Sequence, residues 1–244
     1  MNDMTDSKTL DEGAFISFEG IDGCGKTTQA MDLAETLEMD NYDVVYVREP
    51  GGTATGEKIR DLLLDKENTD IVDECELLLY EASRAQLVKE VIQPALDRHA
   101  VVICDRFYDS TYAYQAGARG LDADLVKRAN ELGSCGLAPD ITILLDVDPE
   151  LAHKRSKFER RGQEDRIEAE GLKFQESVRQ GYLDLAKQES DRIHVIDGSG
   201  FVGEVTNKIQ ETIVKQFPMF ASAFMVSAGF QVVDQLPRAE ETDE

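Results

Sequence analysis

Five mostly apolar runs, Ala14–Glu19, Tyr42–Val47, Ala100–Cys104, Asp140–Val147 and Arg192–Ile196, punctuate the chain without strict alternation. Strands buried on both faces of a parallel sheet read this way. Between the runs, apolar positions recur at helical spacing. Ala30, Leu33, Ala34 and Leu37 mark a helix over Thr27–Met39. Ile59, Leu62 and Leu63 mark a second that ends near Asp65, with Thr53 as its cap. Asp73 and Glu76 resemble a capping box for a long helix to about Leu96, which Pro94 should kink or end. Further helices are expected over Leu121–Leu132, from Pro149 and over Leu172–Gln188, while residues 107–120 form an aromatic and glycine-rich segment. Strands alternating with helices predict an α/β domain, a doubly wound parallel sheet of about five strands flanked by helices.

The pattern also suggests boundaries. Residues 1–13 read as a polar lead-in, 14–215 as the domain and 216–244 as an extension. In the extension, Phe217, Phe220 and Phe224 fall at helical spacing, which predicts either an extra helix packed on the domain or a partner or dimer contact. No uninterrupted apolar stretch reaches the roughly 20 residues of a membrane helix, and the first dozen residues are unlike a signal peptide. A cytoplasmic location without membrane partners is therefore expected.

Charge narrows the classes of ligand. A formal charge of −23 argues against a bare nucleic-acid or anionic-membrane binder, which needs basic surface. Any anionic ligand must meet a local basic pocket. The acidity fits a salty habitat or solubility alone. Cys24, Cys75, Cys104 and Cys135 form no CxxC pair, so reduced thiols are expected and no zinc site is visible.

The chemistry starts in FISFEGIDGCGKTT. Gly20, Gly25, Lys26 and Thr27 fill the phosphate-loop pattern GxxxxGK[ST], with Ile21, Asp22, Gly23 and Cys24 between the glycines and Thr28 after. Such a loop turns backbone N–H groups onto phosphates, while its lysine reaches the outer phosphates and its threonine reaches magnesium. A strand before and a helix after supply the expected context, and the P-loop NTPase fold, ATP and Mg2+ follow as expectations. A carboxylate at Asp22 would repel triphosphate, so it should face a sugar hydroxyl or a metal-bound water, the alternative being a loop acid that points to solvent. Gly23 carries no side chain, so a catalytic cation has to come from elsewhere.

KRSKFERRGQEDR, with Lys154, Arg155, Lys157, Arg160, Arg161 and Arg166, offers one. It reads as a lid over about 154–170, or else as a solvated helix face with i,i+4 pairs. Asp105 ends an apolar strand as a Walker-B-like acid able to order magnesium with Thr27, and Arg106 can fork onto a phosphate. A structural Asp–Arg pair is the alternative. Tyr80 and Arg84, one helical turn apart, can present a ring and a guanidinium to one flat ligand, although such spacing also describes ordinary core. A cysteine near a helix N-terminus can have a lowered pKa, so Cys24 is a candidate for oxidation sensitivity.

Together FEGIDGCGKTT, VREPGGT, LLLYEASRAQLV, CDRFYDSTYAYQAGARG and RRGQEDRIE, in that order, resemble the thymidylate kinase family from about Ala14 to Lys215. The resemblance implies transfer of the ATP γ-phosphoryl group to dTMP, giving dTDP, and a homodimer. It implies that Asp22 meets the deoxyribose 3′-hydroxyl and Arg106 the acceptor phosphate, with Arg48 nearby. Tyr80 would stack on thymine and Arg84 reach its O4. Thr111 and Gln115 would lie along the base, and Tyr114 would crowd the 2′ position. Gly23 with Arg160 and Arg161 resembles the bacterial form, in which the lid supplies the arginine. A kinase for another nucleotide or deoxynucleoside, or a nucleotide-dependent switch, remains the alternative, although no NKxD signal is present.

Overall fold

The computed structural model describes residues 8–159 and 165–227. Five strands, β1 (Ala14–Glu19), β2 (Val44–Arg48), β3 (Val101–Asp105), β4 (Ile141–Asp146) and β5 (Ile193–Asp197), form one sheet in the order β2-β3-β1-β4-β5. Every ladder is parallel. The fold expected from the apolar runs is the fold observed. β1 and β3 are buried along their whole length, as an unbroken apolar run between two helical layers requires. β2 departs from expectation. It is an edge strand, so Val44, Val45 and Tyr46 are only half-buried.

From β1 the chain crosses to β2 on one side, and from β3 it crosses to β4 on the other. The reversal opens a crevice at the carboxyl ends of β1 and β3, where doubly wound sheets bind ligands. Register puts Phe18 opposite Asp105 and Arg48 opposite Asp105, so three strand ends finish at one level.

Helix α1 (Lys26–Met39) buries Ala30, Leu33, Ala34 and Leu37 against the sheet. α2 (Ala54–Leu64) opens at Thr53, whose hydroxyl accepts the Gly56 N–H. It buries Leu63 but leaves Leu62 exposed, contrary to expectation. α3 (Asp73–Leu87) starts after Val72 without a side-chain cap. The expected capping box is absent, because Glu76 turns inward and is 1% exposed. The helix does not end at Pro94. It widens into a π turn, Val88–Ile92, where the Gln93 N–H reaches Val88, and finishes as α4 (Gln93–Asp97). A wider turn before a proline accommodates the ring and the missing donor.

Residues 108–118 of the aromatic and glycine-rich segment are helical too, as α5 (Tyr108–Thr111) and a π-helical stretch, Tyr112–Ala118. A π register has no 3.6-residue period, which is why the segment reads as irregular. α6 (Ala123–Gly133) precedes β4, and α7 (Pro149–Glu159) follows it. α8 (Leu172–Gln188) crosses the π-helical stretch at a backbone-to-backbone contact. A Cβ on Gly117 would lie 3.1 Å from the Gly181 Cα. That closeness carries Tyr182 to the crevice.

After β5, α9 (Val202–Gln216) buries Val205, Ile209 and Ile213, a four-residue spacing that went unread. A short turn, Pro218–Phe220, and α10 (Ala221–Ser227) follow. Phe220 and Phe224 enter the main core, where Phe220 meets Tyr42 edge-on at 5.0 Å. Among the described residues no helix is long and apolar enough to cross a membrane.

Candidate active site

The phosphate end is built by the turn from β1 into α1. Gly25 precedes α1 at φ 96°, a left-handed conformation, and offers no side chain to cap the helix. The first-turn N–H groups are thus left for an anion. Gly23, at φ 80°, lies so close to α7 that a Cβ there would meet the Ala152 carbonyl oxygen. Lys26 is 7% exposed, and its Nζ is 3.5 Å from Asp22 Oδ1. Thr27 donates its hydroxyl to Asp105 Oδ2 at 2.5 Å, while Asp105 Oδ1 is buried without a hydrogen-bond partner.

Arg106 takes φ 73°, unusual for a residue with a Cβ and held only when the surroundings over-determine it. Here its N–H bonds the Phe18 carbonyl at 2.9 Å. Nη2 donates to Asp22 Oδ1 at 2.7 Å, and Nη1 to the Gly20 carbonyl, Ser110 and Tyr182. Beneath it, Glu19 accepts from the Phe107 N–H, Ser110 and Tyr182. Burial, with Asp109 adding, pushes the Glu19 carboxyl up to about 7 against the pull of Arg106.

A cavity of about 180 Å³ runs from this end toward Tyr80, Arg84 and Gln115. Asp22, Arg48, Tyr80, Arg84, Arg106, Thr111, Tyr114 and Gln115 all line it, together with Lys26, Thr27 and Asp105. Residues from four separate stretches, 22–27, 48, 80–84 and 105–115, therefore line one cavity. Tyr114 donates its hydroxyl to Asp22 Oδ2 at 3.2 Å. Arg48 pairs with Glu57 at 3.0 Å and donates to the Pro50 carbonyl. Arg84 is 1% exposed and held by Glu49 at 2.8 Å, Glu81 at 2.5 Å and the Thr111 hydroxyl at 2.9 Å. Burial raises the Glu49 carboxyl to about 7 even though Arg84 lowers it. Gln115 donates to Glu76 at 2.8 Å.

A phosphate loop, a paired Asp–Arg and a cavity sized for a base are shared by several nucleotide kinases, and comparison with known proteins separates them. The family model for thymidylate kinase matches residues 18–209. The chain belongs to the thymidylate kinase family. A thymidylate kinase of Caldanaerobacter subterraneus subsp. tengcongensis is 54% identical over 186 residues, spanning 76% of this chain and 88% of that protein. One of Thermoanaerobacter sp. is 48% identical over 204 residues, spanning 84% and 98%. The crystal structure of thymidylate kinase from Ehrlichia chaffeensis superposes with a TM-score of 0.67 at 35% identity, covering 83% of this chain and 99% of that one. As a thymidylate kinase the chain is a nucleoside monophosphate kinase with the P-loop NTPase fold, and it phosphorylates dTMP.

Several residues around this thymidylate kinase cavity escaped sequence reasoning. Arg60 lines it and donates to the Pro50 carbonyl at 2.9 Å. Burial lowers its pKa, and the neighbouring Arg48 lowers it further. Its signal was a basic residue next to Ile59 in an apolar helical stripe. Glu49, Asp165 and Ile167 also line the wall. Glu19 and Tyr182 left no signal, since each sits within an apolar pattern.

The basic stretch divides. Arg155 donates to the Gly198 and Ser199 carbonyls, and Arg166 to the Leu63 carbonyl and Glu76. Both act as anchors. Arg160 and Arg161 lie outside the described residues. Cys24 corrects an expectation: the thiol is buried, and burial pushes its pKa up rather than down despite Lys26 nearby.

Proposed function

We propose that the chain transfers the γ-phosphoryl group of ATP, as its magnesium complex, to dTMP in the cavity between β1 and β3. One observation carries this reading: the 2.7 Å Arg106–Asp22 pair joins the phosphate loop to the cavity bearing Tyr80, Arg84, Thr111 and Gln115. Lys26 and the loop N–H groups hold the donor phosphates. Arg106, with Arg48, binds the acceptor phosphate, and Asp22 takes the 3′-hydroxyl. Tyr80 stacks on thymine, Arg84 and Gln115 read its edge, and Tyr114 crowds the 2′ position.

Magnesium prefers oxygen donors and is commonly held by one or two carboxylates plus substrate phosphates. The orphaned Asp105 Oδ1 beside the Thr27 hydroxyl fits that ion. When bound, magnesium neutralises charge on the phosphates. No general base is required, because the attacking group is already a phosphate anion. Positioning and cations do the rest, with Arg160 or Arg161 supplying charge to the transferring oxygens.

A coupled assay with dTMP, dUMP, dCMP, TMP and thymidine as acceptors tests the reading. Turnover is expected with dTMP above the others, and no turnover with any monophosphate overturns it. We also propose a cytoplasmic homodimer. Leu62, Leu78 and Leu132, 51%, 64% and 78% exposed, supply apolar helical surface for the second copy. A monomer in sedimentation at micromolar concentration would remove that part.

A further inference from the structure

Glu76 has no part in the chemistry described so far, yet it is the most heavily bonded carboxylate at the base end. It lies in the first turn of α3 and is 1% exposed. Oε1 accepts from Gln115 Nε2 at 2.8 Å and Arg119 Nε at 3.2 Å. Oε2 accepts from Arg166 Nη2 at 2.6 Å and Arg119 Nη2 at 3.3 Å. Burial alone would raise its pKa, but Arg119, Arg166 and Gln115 hold it below the ordinary carboxylate value.

Its partners belong to two different structures. Gln115 is a wall of the cavity. Arg166 opens the segment that enters α8, and its own backbone N–H and Nε bond the Leu64 and Leu63 carbonyls at the end of α2. Arg119 reaches the same segment farther on, donating to Glu170 at 2.6 Å. Asp165 and Ile167 of that segment also line the cavity. One buried anion thus fastens the cavity wall and residues 165–170 together. Gln115 cannot shift toward a ligand without changing what Oε1 offers Arg119.

We propose that Glu76 is a positioning residue that couples acceptor occupancy at Gln115 to the placement of residues 165–170. The inference rests on the acceptor-site reading above. A carboxylate is needed because its two oxygens must serve four N–H donors at once. Glutamine keeps the shape but turns one acceptor into a donor facing two guanidinium groups. Coupling of this kind is a claim about energy and needs a readout at the second site.

The test is hydrogen exchange of the full-length chain with and without dTMP, in wild type and Glu76→Gln. In wild type, dTMP slows exchange both at 111–116 and at 165–170. In Glu76→Gln it still slows exchange at 111–116, but protection at 165–170 is lost, and kcat/KM for dTMP falls about tenfold, the scale of coupling between directly bonded groups. Should Glu76→Gln not fold, Arg166→Gln removes the direct link between Glu76 and this segment, leaving only the route through Arg119, and weakens the same protection. Wild-type protection of 165–170 retained in either folded variant overturns the proposal. So does a wild type in which dTMP protects 111–116 alone. No protection at 111–116 in wild type overturns the acceptor-site reading, and the proposal with it.

Discussion

The two ends of the cavity hold their arginines in opposite ways. At the phosphate end, Arg106 spreads its donors over Asp22, a backbone carbonyl and neutral hydroxyls, partners that a phosphate can outbid. At the base end, Arg84 is clamped by Glu49 and Glu81. Arg106 shares a single carboxylate with neutral partners, whereas Arg84 is balanced by two buried carboxylates that fix its place in the wall. Substitutions should therefore act on turnover at the first end, and on stability or acceptor affinity at the second.

The largest effect is expected on turnover. Arg161→Ala should lower kcat by about 10³–10⁵, the value of a cation on the transferring oxygens, while dTMP affinity changes little. An unchanged kcat in steady-state assays would remove Arg161 from the reaction and weaken the contrast. Arg84→Ala should instead cost about 3–5 kcal/mol in urea unfolding, because two buried carboxylates lose their partner. A loss of activity with wild-type stability would make Arg84 a charge donor like Arg106. Tyr80→Ala should raise the KM for dTMP with little change in kcat, roughly tenfold for about 1–1.5 kcal/mol of lost stacking.

A smaller effect concerns pH. The folded-state pKa of Glu19 lies at about 7, above the ordinary 4.5. The folded chain therefore binds the proton more tightly than the unfolded chain, so this group's contribution to stability is full below 4.5 and lost as pH rises through 7. Glu49 acts in the same direction at the base end. Urea midpoints at pH 5 and pH 8 should differ less in Glu19→Gln than in wild type. An equal difference would show that Glu19 does not titrate under Arg106. The smallest effect separates the thiols: iodoacetamide should label exposed Cys75 and Cys135 well before buried Cys24.

The same contrast explains what could be read from sequence. Residues of the phosphate end follow from local rules, because glycine spacing, a lysine and a strand-end Asp–Arg pair work through backbone geometry within a few positions. Apolar runs likewise disclosed all five strands, since most positions in each remain apolar even in β2 and β5, which are only partly buried. The base end joins residues far apart in the chain. Glu76 resembled a helix cap, and only the fold shows it turned toward Gln115 and Arg166. Residues 108–118 hid their helicity in a π register. Tyr182 looked like core because it is core, until the Gly117–Gly181 contact brings its hydroxyl to Glu19 and Arg106.

The packing of Gly23 on α7 bears on how such an enzyme could change its source of catalytic charge. An arginine in the phosphate loop would be the simplest way to dispense with one from the basic stretch. At position 23 that substitution would have to adopt φ 80° and displace the Ala152 carbonyl, whose oxygen lies 2.1 Å from the added Cβ. α7 would have to retreat, and the basic stretch begins on that helix. An arginine at position 23 is therefore expected to disturb the very helix on which the basic stretch begins, so the two sources of charge are not independent in this backbone.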